Sequence, residues 1–363
     1  MNPTVTGIAE EANRAFGSQC DGIFAFPHNS GCSQLGEDHK VTQKILSSII
    51  RHPNAGGVLI VSLGCENNNL QEFLPVLGEI DSTRVKTMTC QEVEGDEVEE
   101  GVKRVGEIIE ALKGDHRSEQ PVSKLCIGFK CGSSDAFSGI TANPLCGLVT
   151  DRITALGGTA VLTEVPEMFG AEQHLMDRAK DEKIFSKIVN MINDFKQYYI
   201  GYGQPIYENP APGNKAGGIT TLEEKSLGCI EKGGHAAVVD VLGYGERYLQ
   251  NGLNLMVGPG NDSVSITNLV AAGSNMLLFT TGRGNPLGTA VPVIKISSNS
   301  SLAKHKERWI DYNAGILLED ADWKSTLNGL WDLLLDTASG ICRTKNEVHN
   351  NRSIMIFKDG VML

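Results

Sequence analysis

The chain has 363 residues, of which 40% are hydrophobic and 21% charged, an ordinary globular composition with length enough for two domains. A net charge of -12 argues against a broad nucleic-acid surface, though not against a small anionic ligand held in a local basic pocket. No apolar run approaches the roughly 18 residues that a membrane span needs.

The first residues, MNPTVTGIAEEANRAFG, carry neither the basic nor the apolar region of a secretory signal. The nine cysteines are odd in number and scattered, which suits a reducing cytoplasm better than a disulfide framework. The expectation is a cytoplasmic protein. Cys126, inside the apolar run KLCIGF, reads as a small core residue.

Along the first half, apolar runs at 22–26, 57–63, 124–129 and 160–163, with a weaker one at 85–88, predict strands. Helical patterns at 38–51, 98–112, 144–156 and 167–198 separate them. Near-continuous apolar strands alternating with helices predict an α/β fold. Its sheets are open, largely parallel, Rossmann-like and covered by helices on both faces. Ligands of such sheets bind beyond the carboxyl ends of the strands, so the loops there become the candidate site.

Those loops read FPHNSGCSQLG, SLGCENNN, GFKCGSSDAFSGITANP and TEVPEMFGAE, and three carry a cysteine beside a glycine: Cys32, Cys65 and Cys131. Thiolate, imidazole and carboxylate are the ligands of zinc and ferrous iron. His28, Cys32, Cys65, Glu66 and Cys131 are therefore candidate metal ligands, provided the strands are neighbours. Without a CxxC this is no zinc ribbon, and cysteines in tight turns also serve simply as packing residues.

A Pro/Gly/Asn-rich stretch at 201–229 suggests a division into α/β domains 1–205 and 206–363. It ends in PGNKAGGITTLEEKSLGC, where Thr220 or Thr221 with a following glutamate predicts a capped helix. Lys215 on its Gly-rich part can hold a substrate carboxylate or act as a base if desolvated. Further strands are predicted at 236–241, 276–279 and 293–296, and helices at 263–272 and 321–340. In VGPGNDSVSITNL a strand, a Gly-Pro-Gly turn and a helix follow one another, with Asn261, Asp262 and Ser263 at the helix start. In FTTGRGNPLG, Arg283 between glycines is a candidate carboxylate clamp. The residues alone point to an α/β enzyme acting on a small polyhydroxy or keto acid.

PHNSGCS, GCEN, GFKCGSSDAFSGITANP, TEVPEMFGAE, PGNKAGGITTLEEKSLGC, GPGNDSVSITNLVAAG and TTGRGNPLG, taken in order, resemble the altronate dehydratase and galactarate dehydratase family. That family also includes the large subunit of sulfolactate sulfo-lyase. The resemblance spans roughly 22–340. It implies a hydro-lyase of hexuronate breakdown that converts D-altronate to 2-keto-3-deoxy-D-gluconate. The implied cofactor is Fe2+ with Mn2+ as a substitute, or, as a variant, an iron–sulfur cluster on Cys32, Cys65 and Cys131. Such chemistry needs a base for the proton alpha to the carboxylate, an acid for the departing hydroxide and a cation for the enediolate. Lys215 is the first candidate for the base, with Asp135 and Glu164 as alternates. Arg283, Asn261, Asp262 and Ser134 are candidates for substrate binding. Alternatives are galactarate dehydration, sulfite elimination from sulfolactate, and a catalytically incomplete subunit that only binds a sugar acid. Fused members carry a small domain ahead of this region, so the resemblance implies a small N-terminal domain or separate small subunit as partner. A homodimer is the default assembly.

Overall fold

The computed structural model describes residues 1–363 and divides into two compact units, 1–119 with 353–363, and 120–352. The first is built on a two-stranded parallel sheet of β1 (Val58–Ser62) and β2 (Val85–Thr89). The helices Asn2–Phe16 and Glu97–Leu112 share a small core around Ile8, Ala12, Met88, Val105 and Ile109. The helices sit close because Gly101 faces Ile8; a Cβ there would lie 2.4 Å from the Ile8 side chain.

The second unit holds a seven-stranded, all-parallel sheet: β3 (Cys126–Cys131), β4 (Thr159–Leu162), β5 (Val238–Leu242), β6 (Gly252–Met256), β7 (Met276–Thr281), β8 (Val293–Ser297) and β9 (Tyr312–Asn313). Their order is β5-β6-β4-β3-β7-β8-β9. Every residue of β3, β4, β7 and β8 is buried, as expected of strands covered on both faces. From β3 the chain moves toward β4, whereas from β7 it moves the opposite way to β8. A topological switch point therefore lies between β3 and β7.

Three elements differ from the pattern that the sequence predicts. The run 22–26 is not a strand; it has no ladder partner, and the Ile23 N–H donates instead to the Asn13 side chain of the first helix. The span 167–198 is not one helix but Glu172–Met176 and Glu182–Gly201, the second restarted by Asp181, whose carboxylate accepts from the Ile184 N–H. The division at 205/206 falls inside the second unit, because β4, before it, is hydrogen-bonded to β6, after it. No helix is long and apolar enough to cross a membrane.

Candidate active site

In the first unit, two of the cysteine-bearing loops are stitched together. The Asn68 N–H donates to the Gly31 carbonyl, and the Ser33 N–H to the Asn67 side chain. Cys32 and Cys65 are exposed, and His28 is half-buried, its Nδ1 accepting from the Ser30 N–H at 3.2 Å. Burial holds the His28 imidazole below its usual pKa. Glu66 accepts from the Ser62 hydroxyl and from the Leu63 and Gly64 N–H groups. Burial opposes its charge, yet these donors hold Glu66 below the usual carboxylate range. Within this unit the four residues form no cluster of three metal-reaching donors.

The second unit brings its loops together at the switch point. The Gly282 and Arg283 N–H groups both donate to the Ser133 carbonyl, tying the loop after β7 to the loop after β3. Asn214 Nδ2 donates to the Ser134 carbonyl, and Arg283 Nη1 to the Gly213 carbonyl at 2.7 Å. Buried Asp135 braces the same assembly by accepting from Ser138, the Ser298 hydroxyl and Asn299 Nδ2. Lys215, in the short helix Pro212–Ala216, and Arg283 are exposed cations on these pinned loops. Asn261 caps the helix Asp262–Ala271 by accepting from the Val264 N–H. Asp262 accepts from Asn285 Nδ2 and pairs with Lys130 at 2.8 Å.

Beneath these loops lies a buried set of charges. Cys131 Sγ is 3.3 Å from Cys229 Sγ, and Glu167 Oε2 lies 2.9 Å from the first sulfur and 2.7 Å from the second. These are the ligand atoms of one metal-competent cluster, all within 4.8 Å of one another, and Cys131 is its one member among the five ligands expected from sequence. Lys225 Nζ touches all three at 2.7 Å (Glu167), 3.0 Å (Cys229) and 3.4 Å (Cys131). Lys130 Nζ donates to Glu164 and to the Cys131 carbonyl, and Lys232 lies 3.6 Å from Glu164 on the other side.

Local structure explains this convergence. The helix Leu222–Ile230 puts Lys225 and Cys229 one turn apart on the same face. Glu224 accepts from the Thr220 N–H while its own N–H donates to the Thr221 hydroxyl, completing the cap that the sequence predicts. Glu164 stands at the end of β4 with φ +75°, a left-handed conformation, and Ser133 beside Cys131 has φ +54°. Such strained non-glycine residues gather at functional sites.

Electrostatics divides the two thiols. Cys131 is held well below the usual thiol range, first by the Cys229 hydrogen bond and then by Lys225, Lys232 and Lys130, all against burial. Cys229 is pushed up by burial and by its neighbour's charge. Glu164 is raised to about 8 by burial, reinforced by Cys131 and Glu167 and opposed by Lys130 and Lys232. Lys130 and Lys225 stay well above the usual lysine range: burial opposes their charge, but Glu164 and Asp262 hold the first, and Cys131 and Cys229 the second. The cluster thus suits binding of a cation at the sulfurs and stabilisation of an anion near the lysines.

Residues 122–362 match the family profile described as D-galactarate/altronate dehydratase, C-terminal. Residues 1–113 match the one described as D-galactarate dehydratase/altronate hydrolase, second domain. The chain is 52% identical to altronate dehydratase of Escherichia coli K12 over 354 residues, 98% of this chain and 71% of that protein. It is 51% identical to altronate dehydratase of Bacillus subtilis 168 over 366 residues, 99% of this chain and 73% of that protein. The chain belongs to the D-galactarate/altronate dehydratase family. A further relative, galactarate dehydratase (L-threo-forming) of Escherichia coli K12, is 32% identical over 86% of this chain and 62% of that protein.

Glu167, Lys225, Cys229, Lys130 and Lys232 are not among the site residues expected from sequence. Two signals were available: a lysine and a cysteine four apart on a helix, and Lys130 inside an otherwise apolar, fully buried strand.

Proposed function

We propose that this chain catalyses dehydration of D-altronate to 2-keto-3-deoxy-D-gluconate, assisted by a divalent metal held by Cys131, Glu167 and Cys229. The observation that carries the reading is this buried two-sulfur, one-carboxylate cluster beside the strand-end loops, in a chain half identical to altronate dehydratases. The donor chemistry fits a borderline-soft ion such as Fe2+ better than a hard one, with Mn2+ the weaker substitute. When bound, the metal supplies Lewis-acid stabilisation of charge on a substrate oxygen.

The residues of the chain do the rest. The reaction breaks the C2–H bond and the C3–O bond, releases water and leaves an enol that becomes the 2-keto acid. Arg283 binds the substrate carboxylate; Lys215 on the adjoining pinned loop is exposed, and it takes the alpha proton only when the bound substrate desolvates it and frees its amine. Glu164, its carboxyl raised to about 8, delivers a proton to the departing hydroxide. Lys130 and Lys232 flank Glu164 and stabilise negative charge developing on the substrate.

The test is anaerobic loading with Fe2+ followed by a 2-keto-3-deoxy acid assay, with galactarate and sulfolactate as comparison substrates. Product from D-altronate, abolished in Cys131→Ser and Glu167→Gln, is the expected result. Sulfite release from sulfolactate without altronate turnover, or turnover unaffected by both substitutions, overturns the reading.

A further inference from the structure

Lys225 occupies the position that closes the sulfur–carboxylate cluster and offsets part of its negative charge. Its Nζ is within 3.4 Å of all three cluster donors, so the ammonium stands at their common focus. A metal bound by these donors would sit roughly 2.0–2.3 Å from each. A divalent ion and an ammonium cannot share so small a buried space, because two like charges a few ångströms apart in low dielectric repel strongly.

We infer that Lys225 is a displaceable internal cation: it fills the cluster when no metal is bound, and metal entry drives its ammonium out. The inference rests on the metal reading above and names the residue that sets the occupancy of that site. The direction of displacement is also built in. Beyond the three donors, the next polar atom at Lys225 Nζ is the Ser134 hydroxyl, 3.5 Å away. Ser134 sits on the loop after β3 that is pinned to the Arg283 and Lys215 segments. Metal entry therefore delivers a positive charge toward the loops proposed to bind the substrate's carboxylate. Lys225 acts here as a competitor for the metal's place and not as a ligand of the metal.

Metal-binding titrations with Co2+ test this, read by the thiolate-to-cobalt absorption band and not by activity. Lys225→Met removes the competitor while keeping the chain length, so its Co2+ affinity should rise at least tenfold over the parent. Lys225→Arg keeps a permanent, bulkier charge in the cluster, so its affinity should fall at least tenfold. Opposite shifts support the inference, since a merely structural lysine would weaken binding in both variants. Equal affinities across the three proteins, or losses in both variants, overturn it while leaving the metal reading intact. No sulfur–cobalt band in any of the three overturns the metal reading and this inference with it. If Lys225→Met does not fold, Lys225→Arg alone decides: unchanged or tighter Co2+ binding overturns the inference.

Discussion

Gly139 and Gly228 meet backbone to backbone: a Cβ on Gly139 would lie 3.0 Å from the Gly228 Cα, and one on Gly228 would lie 3.1 Å from the Gly139 Cα. That contact seats the helix Leu222–Ile230 against the loop after β3, and so presents Cys229 and Lys225 to Cys131. Neither neighbour is a side chain that can swing away. Gly228→Ala should therefore push the helix off the loop, lowering stability by about 1–3 kcal/mol. It should weaken metal binding more than its stability loss alone would. Denaturant unfolding and Co2+ titration of the same preparation measure the two effects; unchanged metal affinity would show that the seating does not matter.

This relationship also marks where the sequence stops being legible. The alternation of apolar runs with helices could be read because the strands of the large sheet are buried on both faces and carry little polar interruption. The strand-end loops could be read for the same reason, and Ser134, Asp135, Glu164, Asp262 and Arg283 do belong to them. Run 22–26 misled because its apolar content is half-buried against a helix with no strand alongside. Lys225 was invisible because a charged residue on a helix following two glutamates normally faces solvent. The glycine-to-glycine approach, joining positions 89 residues apart (228 minus 139), together with the Asn143 side chain donating to the Gly228 carbonyl, turns that helix face inward.

Glu167 neutralises a buried ammonium, so its removal should be felt in stability as well as in activity. Glu167 Oε2 is 2.7 Å from Lys225 Nζ, and the lysine is 3% exposed. Breaking a buried pair from one side typically costs about 3–5 kcal/mol, because the remaining charge cannot reach water. Because the Cys131 thiolate still faces the ammonium, Glu167→Gln should destabilise the metal-free chain by less than that. The double variant Glu167→Gln with Lys225→Met should recover part of it, since the ammonium that lost its carboxylate is gone as well. Urea unfolding of the four proteins in this cycle gives the coupling; additive losses would contradict a direct pair.

The helix that carries Lys225 and Cys229 starts at a cap, and the cap can be weakened without touching the cluster. The Thr221 hydroxyl accepts from the Glu224 N–H at 3.1 Å. Thr221→Ala should lower stability by about 1 kcal/mol. Thr221→Ser keeps the acceptor and should be close to neutral. Thermal unfolding distinguishes them, and equal losses in both would assign the effect to the methyl group instead.

Lys295, buried as an amine, should make the chain's stability depend on pH. It lies in the middle of β8, fully buried, with its Nζ 3.3 Å from the Phe279 ring centroid and no hydrogen-bond partner. Burial pushes its pKa down from 10.5 to about 7; Asp262 and Asp311 work against that shift, and Lys130 adds to it. The native state therefore binds this proton more weakly than the unfolded state does. Below pH about 7 both states carry the charge, and the native state bears the full penalty of a buried ammonium. Between about 7 and 10.5 the unfolded state is the more protonated, so this group makes stability rise with pH. Above 10.5 both states are neutral and the penalty is gone. Lys295→Met has a similar length and no charge, so it should stabilise the chain most below pH 7. Its advantage should shrink by up to about 1.4 kcal/mol per pH unit across the window above. Unfolding free energies of both proteins at pH 6, 8 and 10, chosen to bracket that window at roughly even spacing, measure the trend. An advantage that stays constant with pH would mean that Lys295 finds a charge partner in solution, and one that grows with pH would reverse the assigned shift.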